Sequence, residues 1–561
     1  MSTGDKKNTK PLIVQSDRTL FLETNSSVFE NARNDISRFA ELIKSPEHIY
    51  TYRISPLSLW NAASAGIKKD DILHVLNLYS KYDIPDNIKT EIEDVIDRYG
   101  TIKLIKNDQD DYFLYSEDDI LITELSFNEK ISNYIIKKKD RNSLLIDKKF
   151  RGHLKQKLIE IGFPVEDLAG YRDGAYLDID LRKKMYLKKK EFMLRKYQIE
   201  SSDIFYANNS LEGGSGVIVL PCGAGKTVAG LRVMSLLKTE TLILVTSITA
   251  ARQWIEEIID KTTLRSDQVS EYSGEFKDIK PVTIATYQIL VYRKNRKEDF
   301  LHFDIFNKKD WGLIIYDEVH LLPAPVFRMV AEIQAKRRLG LTATLVREDG
   351  RESDVFSLIG PKKYDVPWKV LEEQGWIAKA LCTEIRINLA SKLRYKYAVA
   401  SVREKFKIAS SNPLKLNIVQ KLIEKHKEDN ILIIGQYIEQ LQQIAEALGA
   451  DFIHGKVKNT VREELYRRFK KEEIKLLVVS KVANFAVDLP DANVAIQVSG
   501  TYGSRQEEAQ RLGRILRPKS DLNQAHFYTL VTRETTEQEF AFKRQLFLTE
   551  QGYKYVIENR A

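Results

Sequence analysis

Two series of short apolar runs, separated by helical segments, constrain this chain more than any other feature. The first series holds Val217-Ile-Val-Leu220, Leu242–Val245, Val282–Ala285 and Leu313–Tyr316. The second begins after residue 415 and holds Ile431–Ile434, Leu476–Val479 and Val494–Gln497. The runs are mostly apolar rather than alternating, so they read as buried strands. They are far shorter than the ~20 residues that cross a bilayer. Strands alternating with helices imply a parallel sheet covered on both sides. The expected fold class is therefore α/β, with two doubly wound parallel-sheet lobes.

A chain of 561 residues exceeds one core, since domains run to roughly 100–200 residues. Its net charge of +9 suits a polyanion such as nucleic acid, although a lysine-rich proteome gives the same number. Cys222 and Cys382 are the only cysteines. They are too few to staple the chain or to hold an iron–sulfur cluster, which takes about four ligands. Cys222 reads as a small residue filling a turn. The histidines are scattered, so no structural metal is expected. The N-terminus has no apolar signal region, and the expected setting is the cytosol.

Four stretches are expected. Residues 1–110 form a small α/β accessory domain; Ser55 caps a helix that starts at Pro56, and a second helix near Asp86–Tyr99 ends at Gly100. Residues 111–190 are more charged and close on Arg182-Lys-Lys-Met-Tyr-Leu-Lys-Lys-Lys190, either a solvated linker or helix face or a DNA backbone contact. Residues 191–375 and 376–561 carry the two lobes. The second includes a basic, aromatic helical stretch near 388–415.

Chemistry concentrates in three motifs. Leu220-Pro-Cys-Gly-Ala-Gly-Lys-Thr227 follows a strand and opens a helix, the setting of a phosphate-binding loop. Gly223, Ala224 and Gly225 turn backbone N–H groups toward phosphates, Lys226 reaches the β- and γ-phosphates, and Thr227 ligates Mg²⁺. Leu220 stands where the strict pattern has glycine. Asp317-Glu-Val-His320 ends a buried strand. Asp317 would hold the Mg²⁺ shell, Glu318 would orient or deprotonate the attacking water, and His320 could relay to other motifs. Gln510, Arg514 and Arg517 follow helical spacing, so the arginines can meet the γ-phosphate from the second lobe; the alternative is an ordinary basic helix. Thr342 and Thr344 end a further strand and could link the ATP site to a nucleic-acid face. Gln198 could read adenine. A single nucleotide-binding domain needs no arginines so distant, whereas a two-lobed motor that closes on ATP does.

These residues resemble superfamily 2 helicases, and more closely the XPB family of DNA repair helicases. The matches are Val217–Lys226, Asp317–His320, Leu339–Asp349 and Glu508–Arg517, with Pro11-Leu-Ile-Val, His48 and Ser55-Pro-Leu-Ser-Leu in the N-terminal part. Arg347, Glu348 and Asp349 form the motif that sets this family apart. The resemblance implies a 3′→5′ DNA helicase or translocase driven by ATP and Mg²⁺. It implies RecA-like lobes, an N-terminal domain, a damage-recognition-like domain over 111–190 and a thumb near 388–415. It adds Asp488 to the nucleotide-binding residues, although Ala486 replaces the glycine many relatives carry. Without long tails the chain looks bacterial, which implies the cytoplasm, DNA as partner, a possible repair nuclease and a monomer. The alternative is an ATP-switched clamp that recruits a nuclease without unwinding DNA; an RNA-directed motor is a third reading.

Overall fold

A run that is apolar at every position has no face to offer water. In the computed structural model the run after Gly214 is a strand, Ser215–Val219, with all five residues buried. The structure describes residues 10–36, 38–44, 48–64, 66–109, 111–147, 150–169, 174–209, 213–221, 223–293, 301–306, 308–322, 337–343, 355, 359–360, 362–480, 492–501, 508, 511–513, 524–550 and 553–560. The chain divides into two compact units. One holds Met1–Val219, Thr227–Thr246 and Trp254–Asp365; the other holds Leu220–Lys226, Ser247–Gln253 and Val366–Ala561.

The first unit opens with two small sheets. β1 (Leu12–Val14), β2 (Thr19–Glu23), β3 (Glu41–Lys44) and β4 (Ile49–Arg53) pair antiparallel in the order β1-β2-β4-β3. Leu20 and Leu22 of the sheet share a core with Leu59, Leu76 and Ile92 of the following helices. Ser55 caps the helix Pro56–Ser64 as expected, its Oγ accepting from the Ser58 N–H at 3.1 Å. The helix Asp86–Arg98 stops just before Gly100, whose φ is 82°.

The second sheet corrects an expected boundary. β5 (Ile102–Lys106), β6 (Tyr112–Tyr115), β7 (Ile135–Lys138), β8 (Ser143–Ile146) and β9 (Val165–Asp167) lie in the order β7-β8-β6-β5-β9. β5 precedes residue 110 yet pairs with β6 and β9. The polar stretch that reads as a boundary is a hairpin turn: Asn107 Oδ1 accepts from the N–H groups of Gln109 and Asp111 at 3.0 and 2.9 Å. Burial alone would push the Asp167 carboxyl up, but Lys155 and Arg151 outweigh it and hold it well below the ordinary range.

The first lobe is a seven-stranded parallel sheet in the order β12-β13-β11-β14-β15-β10-β16. Its strands are β10 (Ser215–Val219), β11 (Thr241–Val245), β12 (Val269–Tyr272), β13 (Val282–Thr286), β14 (Leu313–Asp317), β15 (Arg337–Thr342) and β16 (Lys362–Asp365). Parallel pairing sets all C-terminal strand ends along one edge, where α/β sheets place their ligands. Register pairs Val219 with Thr342 and Asp317 with Leu341, so the ends of β10, β15 and β14 lie nearly level.

The basic run at 182–190 is solvated over most of its length, as one reading expected, but it is not a helix. It is a turn docked on the end of the helix Ile248–Lys261. Asp260 Oδ1 accepts from the N–H groups of Leu187 and Lys188 at 2.6 and 3.2 Å, and the Tyr186 N–H donates to the Asp260 carbonyl at 2.8 Å. Arg182 and Lys189 lie 5.1 and 4.4 Å from the Tyr186 ring centre.

The second unit carries another seven-stranded parallel sheet, ordered β19-β20-β18-β21-β22-β17-β23. It comprises β17 (Lys379–Ile387), β18 (Ile431–Gly435), β19 (Asp451–Ile453), β20 (Leu476–Ser480), β21 (Val494–Gln497), β22 (Gln524–Thr532) and β23 (Tyr555–Arg560). The two sheets establish the α/β class with doubly wound, RecA-like lobes. The stretch 388–415 folds into the short helices Arg394–Val399 and Val402–Ser410. It packs back on the helix Thr536–Glu550: the Phe406 and Phe540 rings meet edge-on at 5.1 Å, and Tyr397 Oη accepts from the Thr536 N–H at 2.9 Å. Among the described residues no helix is long and apolar enough to cross a membrane.

Candidate active site

The loop that leaves β10 takes its shape from two glycines. Gly223 and Gly225 have φ of 79° and 82°, a region that costs residues with a Cβ roughly 1–2 kcal/mol. Between them Ala224 is fully buried, its N–H donating to the Pro221 carbonyl at 3.1 Å. Lys226 opens the helix Lys226–Leu237, with Thr227 next. Backbone N–H groups at a helix start are ready donors for an anion. Cys222 lies outside the described residues.

At the end of β14 the Asp317 carboxylate is held on both oxygens. Oδ1 accepts from the Glu318 N–H at 3.0 Å, and Oδ2 accepts from the Trp254 indole N–H at 2.9 Å. The Asp317 carbonyl accepts from the Tyr287 hydroxyl at 2.9 Å. Burial pushes the Tyr287 phenol well above its ordinary range and the Asp317 charge adds to this, so Tyr287 stays protonated and remains a donor. Donors on both oxygens favour the ionised carboxylate and fix its plane.

Glu318 adopts φ 49° and ψ 52°, a left-handed conformation rare for a side chain of this size. Such an outlier marks a position whose side chain is aimed at some cost. Here it brings Glu318 Oε2 to 3.5 Å from His320 Nδ1. The buried His320 ring contacts Thr342 Oγ1 at 2.7 Å through the same nitrogen. Glu318, His320 and Thr342 thus form a contiguous set that links the turn after β14 to the last residue of β15.

Gln198 is buried, and its Oε1 accepts from the Arg195 N–H at 3.0 Å, closing the first turn of the helix Lys196–Tyr206. A capping role is what this geometry demonstrates. Thr344, Arg347, Glu348, Asp349, Asp488, Gln510, Arg514 and Arg517 lie outside the described residues.

Three residues of the site carry no sequence signal of their own. Trp254 sits with Ala251 and Ile258 on the buried side of its helix and reads as core. The one hint is that a buried indole N–H needs an acceptor. Gly230 makes room for it: a Cβ there would lie 2.8 Å from Trp254 Cη2. Tyr287 reads as another apolar position after β13.

With this geometry in hand, the comparisons are specific. Residues 371–561 match the family described as ERCC3/RAD25/XPB C-terminal helicase. Residues 191–347 match the type III restriction enzyme res subunit, and residues 12–140 match a model described as a helicase conserved C-terminal domain. The DNA 3'-5' helicase XPB of Mycobacterium tuberculosis is 49% identical over 549 residues, 98% of each chain. That of Kineococcus radiotolerans is 49% identical over 547 residues, covering 98% of this chain and 96% of the relative. The general transcription and DNA repair factor IIH helicase/translocase subunit XPB of Enterocytozoon bieneusi is 34% identical, over 97% of this chain and 92% of its own.

Proposed function

The chain belongs to the XPB family of DNA repair helicases, and on that premise we propose that it is an ATP-driven 3′→5′ DNA helicase or translocase acting in DNA repair. One observation carries the reading. A carboxylate pair leaves the end of β14, level with the β10 end that feeds the phosphate loop, on one edge of a parallel sheet.

Gly223, Ala224, Gly225 and Lys226 bind the phosphates of ATP, and Gln198 contacts the adenine. Thr227 and Asp317 supply hard oxygen donors of the kind Mg²⁺ takes, and the two-sided support of Asp317 fits a metal-shell carboxylate. When bound, the magnesium ion neutralises charge on the β- and γ-phosphates. Glu318 orients the attacking water and accepts its proton. Arg514 and Arg517, with Gln510, stabilise charge that grows in the transition state; Asp488 completes the nucleotide contacts. His320, Thr342 and Thr344 couple this chemistry to the DNA-handling segment that includes Arg347, Glu348 and Asp349.

The sheet β1–β4 and the sheet β5–β9 serve as accessory domains, the second in the place of a damage-recognition domain. The stretch 388–415 serves as a thumb. A repair nuclease is the proposed partner of a monomeric motor. ATPase assays with single-stranded DNA, duplex DNA and RNA, beside displacement of a strand from a 3′-tailed duplex, test the reading. DNA-stimulated hydrolysis with displacement supports it. Hydrolysis without displacement or translocation supports the clamp, and stimulation by RNA alone overturns DNA as substrate.

A further inference from the structure

The arginine segment of the second unit begins at Glu508, just after the loop that leaves β21. A buried polar network ties the two together. Gln497, the last residue of β21, donates through Nε2 to Glu508 Oε2 at 3.0 Å and accepts from Arg511 Nη1. Gln497, Glu508 and Arg511 are all buried. The loop Val498–Thr501 is pinned at both ends by cations. Lys415 Nζ donates to the Val498 carbonyl at 2.8 Å, and Arg544 Nη1 donates to the Thr501 carbonyl at 2.6 Å.

Arg544 makes the link between loop and segment. Its Nε also lies 3.5 Å from Glu508 Oε2, and its side chain is 1% exposed. The guanidinium lies against Gly500, where a Cβ would stand 2.1 Å from Cζ. Only glycine permits that approach. Arg544 sits on the helix Thr536–Glu550 with Glu537, two turns earlier on the same face. Glu537 accepts from Lys415 Nζ at 2.7 Å. One helix therefore holds both ends of the loop, directly through Arg544 and through Lys415 from Glu537. The Arg544 guanidinium thus hydrogen-bonds the Thr501 carbonyl and faces Glu508 as an ion pair, a planar arrangement that a lysine ammonium reproduces with less geometric control.

We propose that Arg544 is a positioning residue for ATP hydrolysis: by linking Thr501 to Glu508 against Gly500, it fixes Glu508 and, through Gln497, Arg511, which belong to the same stretch of sequence as Gln510, Arg514 and Arg517. The inference rests on reading those three residues as acting on ATP. Misplacing a reacting group by about 1 Å costs on the order of 10²-fold in rate. Arg544→Lys keeps the charge opposite Glu508 and loses the fork, so its kcat for DNA-stimulated hydrolysis falls by roughly 10- to 100-fold. Its KM for ATP stays at the wild-type value, because Thr501, Glu508 and Gly500, which Arg544 contacts, are not among the residues read as binding ATP. Gly500→Ala, which pushes the guanidinium away, gives the same kcat-only loss.

The experiment measures kcat, KM and the urea midpoint on the full chain. The variants are Arg544→Lys, Gly500→Ala, the charge-neutral pair Arg544→Gln/Glu508→Gln, and Arg517→Ala. The neutral pair removes the buried ion pair as a unit, so it regains a midpoint near wild type while kcat stays low. That split between recovered fold and lost turnover is what a merely structural arginine would not give. A wild-type kcat in Arg544→Lys, with Arg517→Ala inactive, overturns the proposal. Losses of kcat that vanish once rates are normalised to folded protein overturn it too. Normal turnover in Arg517→Ala is a different failure: it removes the arginine reading, and Arg544 then has nothing to position.

Discussion

The two lobes hold their key segments by different means. In the first, Asp317 is fixed by neutral donors: an indole N–H, a backbone N–H and, on its carbonyl, a phenol. In the second, the loop Val498–Thr501 and the segment after it are fixed by buried ions: Lys415 with Glu537, and Arg544 with Glu508. Donors on the Asp317 carboxylate and carbonyl set its orientation, while the buried ion pairs of the second lobe hold a stretch of backbone. The contrast teaches that a single side chain can be oriented by hydrogen bonds at the end of one strand, whereas a loop is held by cations reaching its backbone carbonyls. A loop that must stand in one place tolerates ion pairs, because a one-sided arrangement would leave a charge stranded.

The same substitution in the two lobes gives the sharpest test. Glu318→Gln is expected to cut ATP turnover by roughly 10²–10⁴-fold while ATP binding and the urea midpoint hold, because the amide keeps size and loses the base. Nucleotide titration beside single-turnover hydrolysis checks it, and a collapse of ATP affinity would make Glu318 a binding residue. Glu537→Gln should do the reverse in kind. It strands Lys415, which is buried and whose pKa burial already lowers, and destabilises the chain by roughly 3–5 kcal/mol in urea unfolding. Lys415→Met/Glu537→Gln should cost much less than the sum of the single changes. If Glu537→Gln were neutral to stability, the picture of a loop held by ions would break.

Smaller effects sharpen the first half of the comparison. Trp254→Phe removes one donor from a carboxylate, a bond worth roughly 1.5–3 kcal/mol, and leaves Asp317 loosely oriented. The expected result is a several-fold rise in the Mg²⁺ concentration that half-saturates ATPase, with weaker Mg²⁺-dependent nucleotide binding in calorimetry. An unchanged Mg²⁺ dependence would reduce Trp254 to packing. Tyr287→Phe should be the mildest, about 0.5–1.5 kcal/mol in urea unfolding, since it takes a donor from a carbonyl rather than from a charge.

The sequence alone determined the α/β class and the mostly apolar strands of the two parallel sheets, because such runs are visible locally; strands that bury charged residues, such as Val269–Tyr272 with Glu271 and Arg337–Thr342 with Arg337 and Arg338, owe their burial to the fold around them. It also determined the glycine turn that opens the helix at Lys226 and the ends of the helices at Ser55 and Gly100, where one residue's backbone chemistry decides the outcome. The tertiary structure alone decided the place of β5, since a polar turn and a domain boundary have the same composition and only pairing tells them apart. It alone joined Trp254 to Asp317 across 63 residues and Arg544 to Thr501 across 43. Those contacts have no local signature. A buried tryptophan or arginine announces that it needs an acceptor, and only the folded chain says which one it meets.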